Sequence, residues 1–318
     1  MKFKLVCCFL ALLAAGVSQA QQWPVKAVRI IVGEPPIGGP GDVMSRLLAQ
    51  RLLERLGQAF VVENRPGANL NIATDMVAKS APDGYTLGVT STGPLVNNRF
   101  LFRSLPFDPV RDLTPIDLML EVPLVLVVNP KLPANNVAEL VAYARSHPGQ
   151  IDAGSSGSGA VNHLTLELFK SIAKVDMVHV PFKGSPAGEL LAGTIQVLFS
   201  PITSVIKQVQ AGNLRALAVT ARSRFPALPE VPTAIEQGFN LEAAPYFVLV
   251  GPAGLPAPII NRLNQETNDF LALAATRTKL IDLGTNVIGG PPELVRSMID
   301  RESIKWKPII ESTGVHLD

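Results

Sequence analysis

Short, nearly uninterrupted apolar runs recur along this chain, separated by longer stretches with helical spacing. The runs fall at residues 28–32, 60–63, 86–89, 124–128, 151–153, 177–180, 197–199, 214–219 and 247–250. Such runs predict strands covered on both faces. Between the first two, residues 42–56 place Val43, Leu47, Leu48, Leu52 and Leu56 on one face and Arg46 and Glu54 on the other. That spacing predicts an amphipathic helix, with Asp42 as its cap and Gly57 as its stop. A second helix is predicted over 162–172, opened by Asn162 and buried through Leu166, Phe169 and Ile172. Residues 258–273 and 291–310 predict two more, the last docking through Leu294, Met298, Ile299 and Trp306. Strands alternating with helices predict an α/β protein with mostly parallel sheets, and the length suggests about two domains.

Three of the strands run into turns of small residues that precede a helix. Gly38-Gly39-Pro40-Gly41-Asp42 follows the first, Ser91-Thr92-Gly93-Pro94 the third, and Gly154-Ser155-Ser156-Gly157-Ser158-Gly159 the fifth. Glycine lets the backbone approach a ligand closely. A helix start offers unpaired N–H groups and the positive end of a dipole. Together they hold anions, carboxylates included.

Composition narrows the field. Lys2 and Lys4, the apolar stretch 9–15 and Ser18-Gln19-Ala20 read as a secretory signal peptide over 1–20, cleaved after Ala20. Both cysteines, Cys7 and Cys8, fall in that leader, so the mature chain is expected to lack disulfides and Cys-metal sites. No later apolar run approaches bilayer-spanning length, and an exported, soluble protein is expected. The formal charge of +2 comes from Lys2 and Lys4, leaving residues 21–318 neutral. With no basic tract and aromatics at 6%, nucleic-acid binding is not expected. His147, His163, His179 and His316 are scattered, with no His-Glu-x-x-His pair. No Gly-x-Ser-x-Gly elbow or Gly-x-Gly-x-x-Gly turn is present either. No catalytic residue, metal site or cofactor is therefore assigned.

Several motifs in order carry a resemblance. They include Trp23-Pro24-Val25-Lys26, Val61-Val62-Glu63-Asn64-Arg65-Pro66-Gly67-Ala68 and Ala78-Lys79-Ser80-Ala81-Pro82-Asp83-Gly84-Tyr85. Val178-His179-Val180-Pro181-Phe182-Lys183-Gly184 and Leu228-Pro229-Glu230-Val231-Pro232-Thr233 continue the series. Over essentially the whole mature length the chain resembles the Bug family, the substrate-binding proteins of tripartite tricarboxylate transporters. The resemblance implies a two-lobe flytrap, a periplasmic binding protein fold whose chain crosses twice between lobes, near 121–123 and 245–247. Lobe one would hold 21–122 and 247–318, and lobe two 123–246. It also implies a monomer that binds a small carboxylate in the cleft and meets membrane permease subunits.

Three departures from the family pattern stand out. The first turn is one residue longer and carries Glu34. Asn69-Leu70 replaces a common Gly-Gly. Ser200-Pro201 stands where many members have an Asp.

The candidate ligand contacts are Pro36, Ile37, Gly38 and Gly39 in the first turn and Ser91, Thr92 and Gly93 in the second. Ser155, Ser156, Gly157, Ser158 and Gly159, with Asn162 and His163, form the third group, and Lys183 and Ser200 complete the set. Plainer roles compete. Gly/Ser turns cap helices, Asn162 and His163 serve a helix start, and Lys183 is solvated. Glu34 is either a rim residue or a contact for a cationic or hydroxylated ligand, and Tyr246 either covers the ligand or packs at the hinge. The alternative is a ligand sensor, in which the loaded protein docks on a membrane signalling partner rather than a permease; a serine hydrolase would need a triad that these motifs do not supply.

Overall fold

The computed structural model describes residues 23–36 and 39–317. The signal-peptide reading of 1–20 and the candidates Ile37 and Gly38 lie outside the described residues. The first four strands are Val28–Val32 (β1), Phe60–Asn64 (β2), Thr86–Ser91 (β3) and Leu113–Glu121 (β4). Leu124–Val128 (β5), Asp152–Ser155 (β6), Val178–Pro181 (β7), Val197–Pro201 (β8) and Arg215–Val219 (β9) follow. Tyr246–Pro252 (β10) and Asn286–Val287 (β11) complete them.

These strands build two sheets, each inside one lobe of a two-lobe α/β fold. One sheet has the order β11-β4-β10-β3-β1-β2, the other β7-β6-β8-β5-β9. The chain passes from the first to the second between Glu121 and Leu124 and returns before Tyr246. Residues of the long connection after β9, among them Phe225, Leu228 and Val231, pack in the core of the five-stranded sheet.

The expectation of mostly parallel sheets needs correcting. β1 is parallel to β2 and β3, and β6 to β7 and β8. But β10 runs against β3 and β4, β11 against β4, and β5 against β8 and β9. The reason is connectivity. A strand reached through a crossover helix runs toward the edge from which the chain leaves for its next helix. β5 and β10 arrive straight from the other lobe, so they enter at that edge and run away from it.

Helix Pro40–Leu56 shows how the elements form. Its buried side includes Met44, Leu48 and Leu52, packed with Val28, Ile30 and Val32 of β1. Gly57 ends it in the left-handed region at φ 71°, its N–H bonded to Leu53 O at 3.0 Å. A Cβ at Gly57 would meet nothing within 4 Å. Gly57→Ala therefore isolates backbone strain and should cost about 1 kcal/mol in a urea melt. No measurable loss would show that the turn relaxes.

The cap is not the expected one. The helix starts at Pro40, and Gly39 is its N-cap, with no side-chain cap bond. Asp42 lies fully buried in the first turn, where Arg46 Nη2 donates to it at 2.9 Å and Asn64 Nδ2 at 2.7 Å.

Helix Glu293–Thr313 touches β4 and the turn Gly93–Asn97 in one lobe and helix Val161–Ala173 in the other. Trp306, Met298 and Val295 on it join one continuous core with Phe169 and Phe199 of the five-stranded lobe and Leu95 and Val248 of the six-stranded lobe. Among the described residues no helix is long and apolar enough to cross a membrane.

Candidate functional site

β3 delivers one wall of a cavity and the turn after β6 delivers the facing one. The cavity measures about 200 Å³. Ser91, Thr92, Gly93, Asn97 and Asn69 line it from the six-stranded lobe, and Ser156, Gly159, Ala160 and Val161 from the five-stranded lobe. Ala244 and Pro245, at the return crossing, and Trp306 close it. None of these residues has an ionisable side chain, so anything held there meets hydroxyls, amides and backbone.

The six-stranded wall is tied to the crossing. Thr92 is buried, and its Oγ1 accepts the Tyr246 N–H at 2.8 Å. Gly93 N–H reaches Ser91 Oγ at 3.4 Å. Asn97 is 6% exposed, and its Oδ1 has no hydrogen-bond partner among the described residues. A buried polar atom without a partner costs roughly 1–3 kcal/mol, so this one marks a place for a bound molecule or water.

Beside it, Ala68, Asn69 and Leu70 all take positive φ, at 45°, 51° and 70°. Three successive non-glycine residues in that region store on the order of 1–2 kcal/mol each. The buried Asn98 holds them. Its Nδ2 donates to Asn69 O at 3.0 Å and to Asn71 Oδ1 at 2.7 Å, and its Oδ1 accepts Asn69 Nδ2 at 2.7 Å. Asn69-Leu70 is thus held in the left-handed region without glycine.

The five-stranded wall is organised by Asn162 and two histidines. Helix Val161–Ala173 begins one residue earlier than expected, so Asn162 is not its cap. Its Oδ1 instead accepts Ser156 N–H at 3.2 Å, Ser156 Oγ–H at 3.1 Å and His163 N–H at 3.1 Å. His163 Nδ1 accepts the Gly159 N–H at 3.0 Å. His179 Nε2 lies 2.6 Å from Ser155 Oγ, and Ser155 Oγ–H donates to Gly157 O at 3.1 Å. The two imidazoles stack with centroids 3.8 Å apart. Burial first, then His179 and Lys170, push His163 down to about 4, and burial lowers His179 as well. Both rings are neutral braces for the turn. Val161, at the first position of the helix, lines the cavity, and N–H groups there have no intrahelical acceptor.

Of the residues singled out from sequence, Ser91, Thr92, Gly93, Ser156 and Gly159 line the cavity. Ser155, Asn162 and His163 lie behind that wall as its supports. Gly157 and Ser158 belong to the same turn without lining the cavity. Pro36, Gly39, Lys183 and Ser200 do not line it either; Pro36 and Lys183 are exposed, and Ser200 is buried with its hydroxyl on Pro201 O. Asn69, Asn97, Ala160, Val161, Ala244, Pro245 and Trp306 also line it and were not among the candidate contacts. Asn69 left a trace as a departure from the family pattern, and Ala160 and Val161 directly follow the third turn; Asn97, Ala244, Pro245 and Trp306 arrive by long-range packing.

Among the described residues no group of His, Cys, Asp or Glu is placed to hold a metal ion.

Residues 44–315 match the family model described as tripartite tricarboxylate transporter family receptor. Protein BugT of Bordetella pertussis is 37% identical over 309 residues, covering 96% of this chain and 94% of BugT. Among solved structures, R. palustris Rpa4515 with adipate is 34% identical with a TM-score of 0.78, over 93% of this chain and 99% of that one. MatC from Rhodopseudomonas palustris with bound malate is 31% identical with a TM-score of 0.74, over 91% and 100%.

Proposed function

Because the chain belongs to the tripartite tricarboxylate transporter receptor family, we propose that it captures a small carboxylate between its lobes and presents the loaded form to the membrane components of such a transporter. It is a solute receptor and not an enzyme. The observation that carries the reading is the cavity of about 200 Å³ walled from both lobes by hydroxyls, amides and a helix start, with no charged side chain. A carboxylate there takes its counter-charge from oriented N–H groups. Ser91, Thr92 and Gly93 meet it from one side, and Ser156, Gly159 and the start of helix Val161–Ala173 from the other. A ligand that touches both walls favours the closed arrangement by its differential contacts.

In this reading residues 21–122 and 247–318 form one lobe and 123–246 the other, with helix Glu293–Thr313 spanning both. The leader is removed after Ala20 and the receptor works in the periplasm. Adipate and malate in the related structures support a small carboxylate as the ligand class.

Thermal melting from Gln21 onward, against small acids paired with their neutral amides, tests this. An acid at about 100 times its Kd should add roughly 2.7 kcal/mol, and its amide nothing. Equal shifts by acid and amide, or no shift by any acid after refolding strips retained ligand, would refute the carboxylate reading.

A further inference from the structure

The anion position at the start of helix Pro40–Leu56 is taken by the chain itself. Glu34 leaves the end of β1 and turns its carboxylate back onto that helix start. Its Oε2 accepts the Asp42 N–H at 2.8 Å, and the Gly41 N–H also points to it. A Cβ at Gly39 would overlap the Glu34 carboxylate, and one at Gly41 would come within 2.7 Å of its Oε2. Two glycines therefore make room for this side chain. The Glu34 backbone is held too, its carbonyl accepting Asn64 Nδ2 at 2.9 Å.

This helix start stands at the cleft edge of its sheet. β1 and β3 are adjacent and parallel, with Val32 opposite Val89. Glu34 follows Val32 by the same two residues that separate Ser91, on the cavity wall, from Val89. Neighbouring strands are about 4.8 Å apart, so the Glu34 turn borders the Ser91 turn. Asp42 lies fully buried beside Glu34, and Arg46 is committed to Asp42 at 2.9 Å. Burial, the first cause, and the Asp42 charge both raise the Glu34 carboxyl above its ordinary range, while the Asp42 and Gly41 N–H groups oppose them.

We infer that Glu34 sets ligand class: by filling the helix start in the six-stranded lobe, it leaves one carboxylate position in the cleft, so the receptor takes monocarboxylates and rejects dicarboxylates. The inference rests on the carboxylate reading above. The single carboxylate lies against Ser156, Gly159 and the start of helix Val161–Ala173. The far end of the ligand, toward Glu34, is apolar or carries a hydrogen-bond donor.

Calorimetric titration of hexanoate against adipate and of butyrate against succinate tests it, on the chain from Gln21 onward. The wild type should bind each monocarboxylate at least tenfold tighter than its dicarboxylate partner. Glu34→Ala removes the charge and vacates the helix start; dicarboxylate affinity should rise at least tenfold while monocarboxylate affinity stays within about threefold. Glu34→Gln keeps the position filled and removes the charge, so it should recover only part of that gain and serves if the alanine variant does not fold. A wild type that prefers the dicarboxylates overturns the inference, as does a ratio that neither variant changes. If no acid binds the wild type or either variant, the carboxylate reading fails and takes this inference with it. If acids bind with the wrong preference, the inference alone fails.

Discussion

Glu302→Ala is expected to destabilise the protein by about 3 kcal/mol and lower its melting temperature by roughly 5 °C. Glu302 is fully buried in helix Glu293–Thr313. Three donors meet its carboxylate: Lys305 Nζ at 2.6 Å, Trp306 Nε1 at 2.9 Å and Arg301 Nε at 3.2 Å. Removing it leaves the buried Trp306 N–H without an acceptor and two cations without their partner. Arg301 is 45% exposed and can turn to water, which places the cost at the lower end of the range for a broken buried pair. Glu302→Gln keeps an acceptor for Trp306 and should recover about half.

The consequence reaches the cleft because the same residues join the lobes. Arg301 Nη2 donates to Tyr246 OH at 3.0 Å and Lys305 Nζ to Glu242 O at 3.0 Å, both at the return crossing. Trp306 itself lines the cavity. Carboxylate affinity should therefore weaken along with stability. A loss below 1 kcal/mol in urea melts would mean that water replaces Glu302 at little cost, and the network would then not hold the lobes.

How much of this was legible beforehand varied with the physics behind each element. β1 and β5 could be read because buried strands leave apolar runs with little competing pattern. β4 could not. Pro115 and Asp117 interrupt Leu113–Glu121, and Asp117 is fully buried only because Asn264 and Asn268, far along the chain, donate to it at 3.0 and 2.8 Å. The reversal of β5 and β10 follows from which sheet the chain arrives from, which periodicity does not encode. At the site, Ser91, Ser156 and Gly159 stood out through turn chemistry, and the family resemblance placed those turns in a cleft. Asp42 and Asn162 fit the cap pattern, yet each helix starts before them and other partners take their side chains: Arg46 and Asn64 for one, Ser156 for the other. Glu34 was visible as a departure in the first turn, but nothing local says that its carboxylate folds back onto the helix that follows.

Acidification from pH 7 to pH 5 should cost the wild type about 2 kcal/mol more than it costs His163→Asn. The sign follows from the depressed imidazole. In the unfolded chain His163 takes up its proton near its ordinary value of 6.5, whereas in the folded protein it does so only at about 4. Between those values the unfolded state binds more protons, so stability falls as pH falls. Each pH unit in the window is worth about 1.4 kcal/mol, and His179, also lowered, works in the same direction. Asp117 opposes both. Burial raises it to about 8, so the folded state binds the extra proton there and gains stability as pH falls. The absolute pH profile mixes these contributions, and only the difference between wild type and variant isolates His163.

Asparagine suits this test because its side-chain oxygen can stand near Nδ1 and keep accepting the Gly159 N–H without titrating. Charged His163 cannot accept that bond. The groups facing it are His179 in the stack, Glu167 Oε1 at 3.9 Å and Lys170; only Glu167 favours the charge, at a distance too long for a hydrogen bond. Protonation thus works directly against the turn that carries Gly159 to the cavity wall. Parallel stability curves for wild type and His163→Asn in urea melts at pH 7, 6 and 5 would show that the turn accommodates the charged ring. A steeper wild-type curve would show that this turn depends on a neutral His163.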